Sequence, residues 1–292
     1  MSTVTGLAYT HVDVFAPAPF TGNSLPVFLD VPELPAGQLV RITQELRHFE
    51  AVFLWSTADP ATWRARVFDL SGELPFAGHP LLGAAAVLHR AAPTLPTRTW
   101  RIELAGGRVV SLTTELAEHG CHAVLDQGAP QFLGTVDQRE RVARAFALDT
   151  DQVRDDLPME VVSTGLRYLI VPVRAGALDR ARITTDLTGL VHSVGAEFAV
   201  LFDESGTEIR HWNNDGVLED VATGSAAGTI GAYRLRHHLV ASGQEFTLRQ
   251  GRFTGRPSIM RIRATGTPER VDSVLVGGPV AFVGHGVVAL PR

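Results

Sequence analysis

Three side chains of the chain can move protons, and two of them stand next to glycine-led, apolar segments. Glu50 ends a predicted helix, His79 follows Gly78, and Asp220 lies shortly before Gly224. Carboxylates and imidazoles act as general acids and bases when they come within hydrogen-bond reach of a reacting group. These three residues are therefore candidates for proton transfer, although each one alone is also typical of a solvated helix end, a buried histidine or a helix cap.

The two apolar segments are predicted helices whose first turns could bind an anion. The segments Pro80–His89 and Ala226–Leu235 consist almost wholly of small and apolar residues, which is typical of a buried helix. A helix N-terminus presents unpaired backbone N–H groups and the positive end of the helix dipole. Gly78 and Gly224 permit close approach of a ligand, and Ser225 can hydrogen-bond to it. The alternative is that the glycines serve only helix–sheet packing.

The surroundings of these helices repeat at an offset of half the chain length. The segment Glu73–His79 aligns with Glu219–Ser225, and Arg64 aligns with Arg210 at the same offset. Several matches in the same order indicate two similar domains.

Predicted strands outnumber predicted helices, and each half has one very apolar helix. This pattern predicts an α+β fold with two pseudo-symmetric domains, each a curved, mostly antiparallel sheet or barrel wrapped around a central apolar helix. The turn-rich segment 126–131 marks the predicted junction. We expect an N-terminal domain over 1–127, completed by a C-terminal strand over 280–292, and a C-terminal domain over 128–279.

The composition of the 292 residues excludes several classes of function. The net charge of −5, without a basic stripe, argues against a nucleic-acid partner. All 26 basic residues are arginine, so the chain has no lysine for a pyridoxal phosphate imine, a Schiff-base aldolase or a P-loop. The histidines lack metal-ligand spacing, and we expect no metal site. The single Cys121 excludes an internal disulfide, and with no signal peptide or membrane span evident we expect a cytoplasmic protein.

Five motifs lie along the chain, at Asp13–Asn23, Glu73–Pro80, Glu219–Ala226, Gln250–Ser258 and Gly277–Gly278. Together they resemble the PhzF-like isomerases of phenazine biosynthesis, a family within the diaminopimelate epimerase fold superfamily. The family's opening D-V-F followed by P-F-x-G-N is similar to Asp13–Asn23. Its central and second-half motifs are similar to Glu73–Pro80 and Glu219–Ala226, and its C-terminal pattern to Gln250–Ser258 and Gly277–Gly278. The resemblance covers nearly the whole chain.

This resemblance implies a cofactor-independent isomerase that acts by acid–base catalysis, with its active site between the two domains, and a homodimer. Glu50 would take a proton from carbon and return one elsewhere, while His79 and Asp220 would shuttle protons or hold polar substrate groups. The carboxylate of the substrate would be bound by Ser225 together with Gly78, Thr223 and Gly224. The related epimerases use two cysteines, and His79 and Ser225 stand at the matching positions here, so the chain cannot be a two-thiol epimerase.

Three departures from the family pattern bear on the substrate. Phe49 and Ala51 replace the hydroxyl residues that usually flank the glutamate, and Val221 replaces a proline. We therefore predict a small unsaturated or cyclic carboxylic or amino acid as the substrate rather than the phenazine precursor itself. The alternative is a catalytically silent protein that binds a small carboxylate in the same cleft.

Overall fold

In the computed structural model, which describes residues 6–290, the chain divides into two units. The first unit comprises Met1–Asp126 with Gly277–Arg292, and the second comprises Gln127–Val276. Strand β16 (Val271–Ala289) begins in the second unit and ends in the first. Within the described residues, no helix has both the length and the apolar character that crossing a bilayer requires.

Eight strands close into a barrel in the first unit. In sheet order, β1, β2, β3, β4, β6, β7, β8 and β16 are hydrogen-bonded neighbours, and β16 pairs again with β1. The short β5 pairs with β4 outside this ring. The elements of this unit besides β16 are β1 (Gly6–Val14), β2 (Asn23–Leu29), α1 (Ala36–Leu46), β3 (Glu50–Ser56), β4 (Thr62–Asp69), β5 (Glu73–Leu74), α2 (Gly78–Ala91), β6 (Thr97–Glu103), a 3-10 turn (Ala105–Gly107), β7 (Val109–Ala117) and β8 (Gly120–Asp126).

Helix α2 packs against the barrel strands on one face, and α1 covers part of the other face. The residues of α2 from Gly78 to His89 are all buried, and the helix contacts β1, β2, β3, β6, β7 and β8. Its Gly83 lies against Val12, Val14 and Leu25, so closely that a Cβ atom there would overlap these side chains. Such close contact on several sides explains why the α2 sequence is apolar all round.

The second unit also contains one long buried helix that packs against its sheet. Strands β9 to β15 are neighbours in sequence order, β15 adjoins β16, and Gln127 and Gly128 exchange backbone hydrogen bonds with Val274. The elements are β9 (Gln131–Val136), α3 (Arg139–Ala145), a 3-10 turn (Thr150–Gln152), β10 (Met159–Ser163), β11 (Arg167–Val173), α4 (Ala177–Arg180), α5 (Thr188–Ser193), β12 (Phe198–Asp203), β13 (Glu208–His211), α6 (Gly224–Arg236), β14 (Glu245–Gln250), a 3-10 turn (Arg252–Thr254) and β15 (Ser258–Gly266).

Helix α6 is the counterpart of α2 within this unit. Its residues from Gly224 to Leu235 are buried, and it contacts β10, β11 and β15. A separate apolar cluster, which includes Phe146 and Trp212, packs α3, α4 and α5 against the other face of the sheet. The N-termini of α2 and α6 are the two points where the sequence predicts anion binding.

Candidate active site

Glu50 and His79 form a buried pair in the first unit. Oε2 of Glu50 lies 3.1 Å from Nδ1 of His79, and the side chains are only 17% and 7% exposed. This separation allows an ion pair between the carboxylate and a protonated imidazole. The structure thus places a predicted proton acceptor in direct contact with a second group that can carry a proton.

The position of Glu50 differs from the sequence expectation. Glu50 does not end a helix, because α1 ends at Leu46 and Arg47 takes a left-handed conformation with a φ of 55°. Glu50 is instead the first residue of β3. Within a strand, the side chains of consecutive residues point to opposite faces of the sheet. The position of Glu50 in β3 therefore determines which face its carboxylate takes.

This alternation also explains the substitution next to Glu50. Ala51 is fully buried in the apolar cluster on the α1 side of the sheet, with Phe28 and Phe53. Glu50 meets His79 of α2 instead. The hydroxyl residue that Ala51 replaces would therefore lie on the sheet face opposite the Glu50 carboxylate.

Helix α2 begins, with Gly78 and His79, without a side-chain cap. Helix α2 begins at Gly78, and the N-cap residue Ala77 has no polar side chain that could cap it. Residues at this position are usually Ser, Thr, Asp or Asn, which accept a bond from the orphan N–H groups. The N-terminus of α2 therefore does without the usual capping side chain beside the Glu50–His79 pair.

The opening motif shapes a turn rather than supplying catalytic groups. Asp13 is buried, and its Oδ2 accepts a 2.7 Å hydrogen bond from the backbone N–H of Phe20. Phe20 and Gly22 both have a positive φ, of 71° and 63°. A Cβ atom at Gly22 would overlap the backbone oxygen of Val14, so the turn requires glycine there.

The two motif glutamates serve as ion-pair partners of strand arginines. Glu73 accepts two hydrogen bonds from Arg66, at 2.8 and 2.6 Å, and Glu219 accepts two from Arg210, at 2.9 and 2.6 Å. In the sequence repeat Arg64 aligns with Arg210. In the structure the counterpart of Arg210 is Arg66, because Arg64 pairs with Glu33 instead.

In the second unit, Asp220 and Thr223 form a compact hydrogen-bonded turn before α6. Oδ2 of Asp220 accepts a 2.5 Å hydrogen bond from the Thr223 hydroxyl, and Oδ1 accepts one of 3.3 Å from the N–H of Ala222. Gln250 binds the same turn: its Oε1 accepts from the N–H of Thr223, and its Nε2 donates to the Asp220 carbonyl. Asp220 is thus held in a fixed orientation.

Gly224 and Ser225 form the first turn of α6, and side chains from other parts of the unit hold them by hydrogen bonds. Nε2 of Gln127 donates a 2.9 Å hydrogen bond to the Gly224 carbonyl, and the Thr164 hydroxyl donates to Oε1 of Gln127. The Ser225 hydroxyl lies 2.8 Å from the hydroxyl of Tyr168. The predicted residues Asp220, Thr223, Gly224 and Ser225 therefore lie together around one helix N-terminus.

Beside Tyr168 lies a buried histidine, His211. His211 is buried, and burial lowers the pKa of its imidazole, an effect that the nearby Asp220 charge opposes. Its Nδ1 lies 3.0 Å from the carbonyl of Ala199, to which it must donate. The ring of Tyr168 meets that of His211 edge to face, with centroids 5.4 Å apart.

Sequence reasoning did not find three of the residues that build this second site. Tyr168, Gln127 and Gln250 contact the α6 turn but lie far from it along the chain. Of these three residues, only Gln250 lies in a sequence motif, the C-terminal one. No group of three or more His, Cys, Asp and Glu side chains among residues 6–290 has the arrangement of a metal site.

Comparison with known proteins gives a consistent result across the chain. The model of the family described as phenazine biosynthesis-like protein matches residues 12–286. A trans-2,3-dihydro-3-hydroxyanthranilate isomerase from Pseudomonas chlororaphis is 30% identical over 297 residues, covering 97% of this chain and 99% of that protein.

Solved structures agree with this relationship. A protein from Pseudomonas aeruginosa described as a predicted epimerase, PA4716, has 43% identity and a TM-score of 0.91, with 98% of this chain and 100% of that chain covered. A probable proline racemase from Agrobacterium radiobacter, at 14% identity, has a TM-score of 0.64 over 98% of this chain and 93% of that chain, which shows a shared fold. These neighbours confirm the expected epimerase-like fold class. The chain belongs to the phenazine biosynthesis-like protein family and is an isomerase.

Proposed function

We propose that this isomerase moves a proton on a small unsaturated or cyclic carboxylic or amino acid by general acid–base catalysis, without a cofactor. The observation that carries the proposal is the buried contact between Glu50 and His79 at the N-terminus of α2. A carboxylate in this setting can accept a proton from carbon, and it is partly shielded from water that would compete for the proton.

Glu50 is the proton carrier in this proposal. Its carboxylate takes a proton from one substrate carbon, and the electron pair of the broken C–H bond enters the conjugated system of the substrate. The carboxylic acid that results returns a proton at another carbon, so that substrate and product are isomers and Glu50 regains its charge. The imidazole of His79, whose Nδ1 lies 3.1 Å from Oε2 of Glu50, stabilises the carboxylate electrostatically when it is protonated. The N–H groups of Gly78 and its neighbours bind a polar substrate oxygen.

The N-terminus of α6 binds the substrate carboxylate. Ser225 offers a hydroxyl, and Thr223 and Gly224 begin the helix whose dipole favours a negative charge at this end. Preorganised donors of this kind also stabilise charge that develops during the reaction. Asp220, fixed by Thr223 and Ala222, holds a protonated or hydroxyl group of the substrate or passes a proton to it.

The named relative suggests where to begin the search for the substrate. The Pseudomonas chlororaphis protein is named for isomerising trans-2,3-dihydro-3-hydroxyanthranilate. We propose a cyclic or unsaturated carboxylate of the same general kind. Phe49 stands next to Glu50 where the family usually has a hydroxyl residue, so the panel of test compounds should extend beyond the phenazine precursor.

The test is isotope incorporation by the purified protein. The protein is incubated in deuterated water with trans-2,3-dihydro-3-hydroxyanthranilate and with a panel of other unsaturated carboxylic and amino acids. Mass spectrometry follows deuterium uptake, and NMR locates the new C–D bond. Uptake with formation of an isomer supports the proposal and identifies the substrate class. Isomer formation without solvent deuterium, under conditions in which Glu50 exchanges its proton with water, would contradict it.

A further inference from the structure

Tyr168 is bonded to the serine that the proposed function assigns to the substrate carboxylate. Its hydroxyl oxygen lies 2.8 Å from Oγ of Ser225. Both residues are buried, with Tyr168 2% and Ser225 7% exposed. Tyr168 belongs to β11, whereas Ser225 is the second residue of α6, so the bond joins the sheet to the helix N-terminus.

The aromatic ring of Tyr168 is held on two sides. It packs against Phe198, with ring centroids 5.6 Å apart, and against His211 edge to face. His211 is itself fixed through Nδ1 to the carbonyl of Ala199, and burial lowers its pKa, so this neighbour is neutral near pH 7. Backbone pairing with β10 and β12 fixes the main chain of Tyr168. The hydroxyl therefore has one well-defined position.

The chemistry of the two hydroxyl groups sets the direction of the bond. A phenol is a stronger acid than an aliphatic alcohol and is the better donor, so Tyr168 donates and Ser225 accepts. The proton of Ser225 then remains available for a ligand in front of α6. A hydroxyl that accepts one hydrogen bond becomes a stronger donor in the next, because the bonds polarise one another.

We infer that Tyr168 is a positioning residue for anion binding: it orients the Ser225 hydroxyl so that this group donates to a carboxylate at the N-terminus of α6. The inference rests on the proposed function, because it needs Ser225 to bind the carboxylate. It adds Tyr168 of strand β11, which no motif in the sequence marks, and it explains why a tyrosine hydroxyl is buried next to the helix turn.

The experiment measures selectivity for a carboxylate instead of activity. Anthranilate and its neutral carboxamide, anthranilamide, serve as probes, and calorimetry gives the affinity of the full chain for each. The two probes share their ring and amino group, so the ratio of their affinities isolates the contribution of the carboxylate. We expect the wild-type protein to prefer anthranilate.

Tyr168→Phe keeps the ring and removes only the hydroxyl. We expect anthranilate affinity to fall by about 3- to 10-fold, which corresponds to the loss of one neutral hydrogen bond, with little change for anthranilamide. Ser225→Ala should lower anthranilate affinity by about 10- to 100-fold, because it removes a donor to a charged group. In the Ser225→Ala background, Tyr168→Phe should have no further effect, since Tyr168 acts through Ser225.

Tyr233→Phe is the matched control. Tyr233 is also fully buried, and its hydroxyl donates a 2.8 Å hydrogen bond to the carbonyl of Pro158. The same substitution there should cost comparable stability and leave the anthranilate preference unchanged. Should Tyr168→Phe not fold, site-specific 3-fluorotyrosine at position 168 keeps the bond and strengthens the donor, so anthranilate should bind more tightly.

The possible results distinguish the role of Tyr168 from the proposed carboxylate site of α6. An unchanged preference in Tyr168→Phe, with a lowered preference in Ser225→Ala, would overturn the role of Tyr168 and leave the carboxylate site of α6 intact. Full additivity of the two substitutions would also overturn it. Equal affinity of the wild-type protein for the two probes would overturn the carboxylate site itself, and the role of Tyr168 with it.

Discussion

Replacing Glu50 by Gln should abolish proton exchange while leaving the fold intact. Glutamine has nearly the same shape but cannot accept a proton, so the general-base contribution, worth about 10²- to 10⁴-fold, is lost. If Glu50 also returns the proton, both halves of the reaction suffer, and we expect a fall of about 10³-fold or more. That fall corresponds to about 4 kcal/mol in the activation barrier.

The structural cost of the same substitution is much smaller. The contact with His79, 3.1 Å in the wild type, changes from that of a charged carboxylate to that of a neutral amide, so only the electrostatic attraction of one pair is lost. The expected loss of about 1–2 kcal/mol in the free energy of unfolding is small beside the usual 5–15 kcal/mol. The rate and the stability therefore respond on clearly different scales, and both can be measured on one preparation.

Deuterium uptake by the substrate, with thermal unfolding of the same samples, is the assay. Glu73→Gln is the control, because Glu73 is also a motif glutamate but pairs with Arg66 and is more exposed, at 27%. We expect this control to keep the exchange rate within about twofold, as a partly exposed ion pair contributes little. A Glu50→Gln protein that folds and exchanges within about tenfold of the wild type would refute the role of Glu50.

Three further predictions concern stability and reactivity. Burial lowers the pKa of His211, so in acid the folded protein binds fewer protons than the unfolded chain. The contribution of His211 to the free energy of unfolding is therefore complete above about pH 6.5 and is lost as the pH falls below it. Urea unfolding at several pH values should show a shallower acid loss in His211→Gln and an unchanged one in His119→Gln, whose side chain is 88% exposed; equal slopes in all three proteins would contradict this. Gly83→Ala should lower the free energy of unfolding by about 1–3 kcal/mol through overlap inside the barrel, whereas Gly37→Ala, in open space on α1, should raise it by up to about 1 kcal/mol; similar effects at both sites would refute the packing argument. Burial raises the pKa of the Cys121 thiol to about 12, so a disulfide reagent at pH 8 should react only after denaturation, and rapid reaction of the folded protein would show that the thiol is accessible.

The sequence predicted the buried helices well because their burial leaves a direct trace in composition. A helix that contacts six strands has little room for polar side chains, and α2 shows this as a run of apolar and small residues from Pro80 to Leu88. The family motifs marked both helix N-termini because their glycines and turn residues are contiguous in the chain.

The immediate setting of Glu50 was harder to predict. Glutamate is a good helix former, so it extends an apparent helical pattern. The structure ends α1 earlier through a left-handed arginine, Arg47, although glycine is the usual residue at such a helix end. Nothing in the local pattern identifies an arginine as a helix terminator, and only the pairing of β3 with β4 shows where Glu50 belongs.

The contacts that Tyr168 and Gln127 make with the α6 turn could not be predicted. Tyr168 and Ser225 are 57 residues apart, and Gln127 and Gly224 are 97 apart. A single tyrosine in a strand is most often a packing residue. Its hydroxyl becomes informative only when the fold sets it opposite the serine, and the partner is decided by the register of β11 against its neighbouring strands.

Both buried helices begin without the side-chain cap that would stabilise them most simply. At α2 the N-cap residue is alanine, which is about 1 kcal/mol less favourable than serine or aspartate. At α6 the N-cap residue is Thr223, but Asp220 and Gln250 engage its hydroxyl, so it makes no capping bond. A capping side chain would occupy the N–H groups that an anionic substrate needs. The chain thus forgoes local stability at the two places where the proposed reaction requires donors, while burial of the rest of each helix supplies the stability of the fold.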